Sequence, residues 1–418
     1  MLDLEAIRSH FPALASGDVV LDNPGGTQVP RAVTDRIVRY LHETNANHGG
    51  VFPTSRASDA VVAEARSAVA DFLGAARPEE VAFGPNMTTL TFQMARSLSR
   101  DWKPGDEVVV TRLDHDANVS PWLLAAADRG ATVRWLDFDP ADCTWSVDAL
   151  RSLVSERTRL VAVGWASNSV GTVNDVAGAA DAAHSAGALL YVDAVHFAPH
   201  GPIDVGAAGA DFLACSAYKF FGPHLGILWG RHDLLERTFA YKVRPAGDEP
   251  PDRWETGTQS FEAVAGTLGA LEYLTWVGDR FAGPQRESLA ARYSGRRLAL
   301  KAAMTAVHAY EETLSRALLE ALAVVPGLRV RGITDPLRFD ERVPTFSFTL
   351  DGHHPRAIAE ELGGRGFRAW DGNYYAVGVT ERLGLEATGG MVRVGAVHYN
   401  TAEEIRQLGA ALRAIARG

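Results

Sequence analysis

Between about residue 80 and residue 230, short apolar β-rich runs alternate with segments of helical periodicity. That alternation restricts the chain to a mostly parallel sheet covered by helices on both faces. Strands are predicted at Glu107–Thr111, Thr132–Leu136, Leu160–Gly164, Leu189–Asp193, Asp211–Ser216 and Gly226–Trp229. Helices fall between them at Met87–Leu98, Pro121–Arg129, Val147–Val154 and Val176–Ala186. Beyond about residue 285 the pattern changes to a helix over Glu311–Val324, short strands at Leu328–Val330, Thr345–Leu350 and Met391–Val394, and a last helix from Thr401. A chain of 418 residues exceeds what one core usually supports, so two units are expected. These are a large α/β domain over 21–285 and a smaller α+β domain made of 1–20 and 286–418.

In open sheets of this kind ligands bind beyond the carboxyl ends of the strands, and two such ends carry reactive side chains. Asp193 closes the apolar run Ala188-Leu189-Leu190-Tyr191-Val192, and the next strand ends in Ser216-Ala217-Tyr218-Lys219. An enzyme using pyridoxal phosphate (PLP) needs this set: the Lys amine forms a Schiff base with the aldehyde, the Asp keeps the pyridine nitrogen protonated and the Ser binds phosphate. The chain has four lysines, and Lys103, Lys242 and Lys301 read as surface residues in a turn, a polar loop and an Arg-rich helical stretch. A carboxylate ending an apolar strand is costly to bury unless it meets a cation, and a pyridinium is one.

The segment Gly84-Pro85-Asn86-Met87-Thr88 precedes a helical run, so its free amides and the helix dipole form an anion site, although Asn and Thr also serve there as plain caps. His115, in Leu113-Asp114-His115-Asp116-Ala117-Asn118, can stack on a cofactor ring or move protons; the alternative is a loop His satisfied by its Asp neighbours. Consecutive loop residues rarely converge on one ion, and His42-Glu43 lacks the second His of a zinc motif, so no metal is expected. Asn168 follows a strand and can donate to a ring hydroxyl or simply form a turn. There is no Gly-x-Gly-x-x-Gly after a strand and no phosphate-binding Walker loop.

A net charge of -10 and the lack of dense basic runs outside Arg292, Arg296, Arg297 and Lys301 argue against nucleic acid. Two cysteines, Cys143 and Cys215, make no disulfide framework, and no stretch of about 18 apolar residues occurs. A cytoplasmic protein that does not meet a membrane is expected.

Taken together, Leu21-Asp22-Asn23-Pro24-Gly25-Gly26-Thr27, the Asn-Met-Thr-Thr segment, His115-x-Ala117-Asn118, Asn168, Asp193-x-x-His196, Ser216-x-x-Lys219, Glu255-Thr256-Gly257-Thr258 and Arg393 resemble the class V aminotransferase superfamily. These are PLP enzymes of fold type I, and the likeness is to the cysteine desulfurase and selenocysteine lyase branch. The resemblance implies a large domain with a seven-stranded-type, mostly parallel sheet. It implies Lys219 as the Schiff-base lysine, Asp193 on the pyridine nitrogen, His115 stacked on the ring, and Asn168 and His196 at the ring oxygen. It places Met87, Thr88, Ser216 and Tyr218 on the phosphate, with Thr258 reaching over from a second subunit of a homodimer. Arg393 would hold the substrate carboxylate, with Asn23, Gly26, Tyr374 and Tyr375 near the substrate. The sequence departs from the branch at His196, usually Gln, at Tyr218, usually His, and in Arg368–Tyr375, where desulfurases carry a Cys and this chain has none. The function implied is PLP chemistry on an amino acid through an external aldimine and loss of the Cα proton. A desulfurase-like carbon-sulfur lyase acting on cysteine or a cysteine conjugate is expected first. An epimerase or aminotransferase comes second, and a non-catalytic scaffold is the reading from another class.

Overall fold

The computed structural model describes residues 2–417. A short strand β1 (Val19–Val20) is followed by seven that form one sheet: β2 (Val81–Gly84), β3 (Glu107–Thr111), β4 (Thr132–Leu136), β5 (Thr158–Gly164), β6 (Leu189–Asp193), β7 (Phe212–Ser216) and β8 (Gly226–Gly230). Their order across the sheet is β2-β8-β7-β6-β5-β3-β4. Only β8 runs against its neighbours β2 and β7, while β6 pairs in parallel with both β5 and β7. The central strands are buried along their length apart from Leu189 at the start of β6, as expected of a sheet covered on both faces.

The expected α/β alternation is present, and local capping explains where its helices begin and end. Asn86 accepts the Thr89 amide to start helix Met87–Leu98, and Gly130 adopts φ +67° to stop helix Ser120–Arg129. Three helices beyond the sequence expectation pack together, Arg31–Arg39 and Pro53–Leu73 each lying against Phe261–Phe281. At Gly269 a Cβ would lie 2.5 Å from the Ala32 carbonyl, so glycine lets two of these helices come close.

A second sheet holds β9 (Leu328–Arg331), β10 (Thr345–Leu350), β12 (Trp370–Gly372) and β13 (Met391–Gly395), antiparallel in the order β12-β13-β10-β9, and the short β11 (Phe367–Arg368) pairs with β1. Strand β12 is too short and glycine-ended to stand out in sequence. The long helix starts at Gly295, well before the expected Glu311. Its first turns are not a solvated surface: Arg296 and Arg297 both clamp Asp71, and Lys301 is 2% exposed. The Lys301 amine donates to the carbonyls of Phe72 and Ile203, which overturns its reading as a surface lysine. Cys143, expected in a polar loop, is also buried.

Candidate active site

The ends of β3, β5, β6 and β7 meet β12 and the loop after it around a cavity of about 560 Å³. Met87, Thr88, His115, Asn168, Asp193, His196, Ser216, Tyr218, Lys219, Tyr374, Tyr375 and Arg393 all line it, so residues spread over three hundred positions of sequence converge on one volume.

Lys219 follows β7 in a single helical turn. Its amine donates to the carbonyls of Pro24 and Gly25, from the segment after β1. Burial is the main cause that lowers its pKa, to about 7, with the nearby Arg393 charge adding to it. A substantial neutral fraction at physiological pH is what a nucleophilic amine requires.

Asp193 ends β6. One carboxylate oxygen accepts the Val195 amide at 2.8 Å. Burial and the neighbouring Asp114 raise its pKa to about 7. At the phosphate end, Ser216 Oγ accepts the Met87 amide at 3.1 Å, which brings the positive N-terminus of helix Met87–Leu98 against the end of β7. The Tyr218 ring stacks on His224 at 4.8 Å.

The Ala117 amide donates to His115 Nδ1 at 3.0 Å, which leaves the ring proton on Nε2. Burial, helped by the Lys219 charge, lowers the pKa of this imidazole to about 4, so it is neutral near pH 7. Its ring lies 5.6 Å from that of Tyr375 at 20°. His196 is buried, with Nε2 3.0 Å from Thr345 Oγ1.

Arg393, on β13, donates to the Asn168 carbonyl at 2.9 Å and approaches Asp22 at 3.4 Å, while its Nε has no protein partner. Tyr374 lies under its guanidinium and donates its hydroxyl to the Met391 carbonyl. The Asn168 amide donates to the Tyr374 carbonyl at 2.9 Å instead of standing free, and its Oδ1 is buried without a partner.

Three expected site residues lie elsewhere. Asn23 does not line the cavity: its amide donates to Val20, Gly395 and Asn400 and its oxygen accepts from Tyr399, so every polar atom is spent tying the N-terminal segment to the last strand. This corrects its reading as a substrate ligand. Gly26 lines an adjoining cleft with Trp370. Thr258 is exposed and borders a separate cavity with Arg66 and Tyr241. Asp22, Asn86, Asp114 and Trp370 line the active cavity and were missed as site residues; Asp22 stood inside the recognised Leu21–Thr27 segment but was masked by its neighbours. Among the described residues no group of three or more His, Cys, Asp and Glu side chains is placed to hold a metal.

These residues fit PLP. Asp193 and Asp114 are two buried carboxyl groups facing the cavity, and a pyridinium adds a positive charge beside Asp193; the Met87 helix end and Ser216 suit a phosphate, and Lys219 suits the aldehyde. Fold and site together define a PLP-dependent enzyme of fold type I. The chain belongs to the family described as Aminotransferase class-V, whose sequence model matches residues 19–300 and 294–408. It is 34% identical to the aminotransferase-like protein FGM3 of Gibberella zeae over 99% of this chain and 98% of that one. It is 31% identical to a cysteine desulfurase of Pectobacterium atrosepticum over 99% and 98%. In three dimensions it resembles the cysteine desulfurase CsdA of Escherichia coli, solved with an S-sulfonic acid, with a TM-score of 0.81, 27% identity, and coverage of 99% and 98%.

Proposed function

We propose that the protein is a carbon-sulfur lyase of the desulfurase type that removes the Cα proton of cysteine or an S-substituted cysteine and expels sulfur without a cysteine nucleophile. One observation carries this reading: the place where a loop thiol would face Lys219 is filled by Trp370–Tyr375, and neither cysteine lines the cavity. Burial raises the pKa of the Cys143 thiol to about 12 and that of Cys215 further, so neither offers a thiolate.

PLP, when bound, supplies an electron sink for the carbanion formed at Cα. In this reading Arg393 grips the substrate carboxylate and Lys219 removes the Cα proton. Asp193 holds the proton on the pyridine nitrogen, and neutral His115 lies against the ring without competing for that proton. Asn168 and His196 flank the ring oxygen, and Met87, Thr88, Ser216 and Tyr218 bind the phosphate. Tyr374 and Tyr375 wall the substrate side. Residues 21–285 act as the cofactor domain, with 1–20 and 286–418 as the smaller one. The protein works in the cytoplasm as a homodimer in which Thr258 of one copy completes the site of the other. Support for the dimer is the exposed apolar group beside Thr258, including Phe239, Tyr241 and Val243.

The test is product identification from PLP-loaded protein mixed with L-cysteine and a panel of S-substituted cysteines. Pyruvate with free thiol supports elimination; alanine with released sulfur restores transfer of sulfur to a thiol. No product from any thio-amino acid moves the reading to epimerisation or transamination. Of these two, a dicarboxylate transaminase is the less favoured, because Arg393 is the only arginine in the cavity lining among the described residues. Lys219→Ala should lose on the order of 10²–10⁴-fold in turnover, and full activity in that variant would overturn the assignment of Lys219 as the reacting amine.

A further inference from the structure

Asp114 has no role in the chemistry above, yet its carboxyl group is one of the most constrained in the molecule. Its Oδ1 accepts the Thr111 hydroxyl at 2.6 Å and its Oδ2 accepts the Asn118 amide at 2.8 Å; Asn118 in turn accepts the Trp122 indole at 3.3 Å. Thr111 itself accepts the Leu113 amide, so its hydroxyl proton is directed at Asp114. Two donors aimed at one carboxyl group favour its ionised form.

Room for this group exists because position 164 is glycine. A Cβ on Gly164 would lie 3.1 Å from Asp114 Oδ1. Gly164 ends β5 and is paired in register with Asp193 at the end of β6. Paired residues of neighbouring strands point to the same face, about 4.8 Å apart. Asp114 therefore occupies the space that a side chain at 164 would fill, on the Asp193 side of the sheet end, near enough for its charge to act on Asp193. Both line the active cavity. The cation nearest them is Lys219 after β7, and the other titratable groups close to Asp193 are Tyr191, Cys215 and Tyr218, with neutral His115 on Asp114's own loop.

We propose that Asp114 is a positioning residue that acts through Asp193, a second carboxylate that deepens the negative potential at the end of β6 and so holds positive charge on bound PLP. Burial raises Asp114 to about 6, and burial together with the Asp114 charge raises Asp193 to about 7 in the protein alone. A cation placed against Asp193 relieves both at once. The proposal uses the PLP dependence of the family and the role given to Asp193, not the choice of substrate.

The test is the pH titration of the visible absorbance of PLP-loaded protein without substrate, which reports the proton on the imine formed by Lys219. Asp114→Asn should bind PLP and lower the midpoint by about one pH unit, because removing an anion disfavours the protonated form. Thr111→Val keeps Asp114 in place but removes a donor to it, and should lower the midpoint by about half as much. Asp193→Asn is the control: an unchanged midpoint there defeats the role of Asp193 itself. If Asp193→Asn shifts the midpoint while Asp114→Asn, at full PLP occupancy, matches the wild type, Asp114 is merely structural and the proposal is overturned. Should Asp114→Asn not fold, an unshifted Thr111→Val decides the same way.

Discussion

The Arg393 guanidinium carbon lies 4.3 Å from the centre of the Tyr374 ring, and Tyr374 sits in the left-handed backbone region at φ +57°. Tyr375 follows at φ +60°, and two successive bulky residues there are strained at about 1–3 kcal/mol each. The conformation is held by the Tyr374 hydroxyl on Met391, by its carbonyl on Asn168 and by the Tyr375 carbonyl accepting the Asp116 amide at 2.7 Å. The loop is thus fastened to Asn168, which lines the active cavity, and to the residue after His115.

Arg393→Lys should raise KM by about 10–100-fold with a smaller change in kcat, since a lysine cannot form the paired bonds of a guanidinium to a carboxylate. Steady-state kinetics on the best substrate of the panel check this. An unchanged KM would take the substrate carboxylate away from Arg393.

Replacing both cysteines, Cys143→Ser with Cys215→Ala, should leave turnover intact in a protein that still folds. Alkylating reagents should be equally harmless to the native enzyme, because both thiols are buried. Loss of sulfur release in a folded double variant would bring back a thiol mechanism.

Stability of the PLP-free protein should fall between about pH 4 and pH 7. Asp193 has an unfolded pKa near 3.8 and a folded value raised to about 7, so over this range the folded state binds more protons than the unfolded one. The stabilisation is complete below the unfolded value and is lost as pH rises through the folded one. Thermal melts across this range should show a shallower fall in Asp193→Asn and in the PLP-loaded wild type. Identical slopes in all three would show that Asp193 is not the group responsible.

Tyr241→Asp combined with Val243→Asp should convert a dimer into monomers and weaken PLP retention, because Tyr241 is 45% exposed and Val243 66% exposed beside Thr258. Sedimentation with absorbance of bound cofactor reads both effects. A wild-type protein that is monomeric at micromolar concentration ends the shared-site reading.

Lys301→Ala should cost about 2–4 kcal/mol, since two buried carbonyls lose their donor and a cavity replaces the side chain. Turnover at low temperature should persist, as Lys301 lies outside the active cavity. A melting temperature equal to that of the wild type would contradict its buried role.

The sequence by itself determined the alternating α/β unit and put Asp193, Ser216 and Lys219 at the ends of two neighbouring strands. Strands β3, β4 and β6 and helix Met87–Leu98 lie where the pattern predicts them, because buried parallel strands are written as apolar runs and capped helices as local signals. Tertiary structure alone decided what depends on contacts between distant segments. Lys301 and Arg296 look solvated in an Arg-rich stretch, and only the packing of their helix on Pro53–Leu73 supplies the Phe72 carbonyl to buried Lys301 and the Asp71 carboxylate to half-buried Arg296. Asn23 looks like a ligand until its partners on the last strand consume its hydrogen bonds. Asp114 looks like a loop residue until the register of β5 and β6 brings it beside Asp193 across the space that Gly164 leaves open. Local patterns encode a segment's preferred conformation; which polar atoms remain free for chemistry is fixed only when the other ends of their hydrogen bonds arrive from elsewhere in the chain.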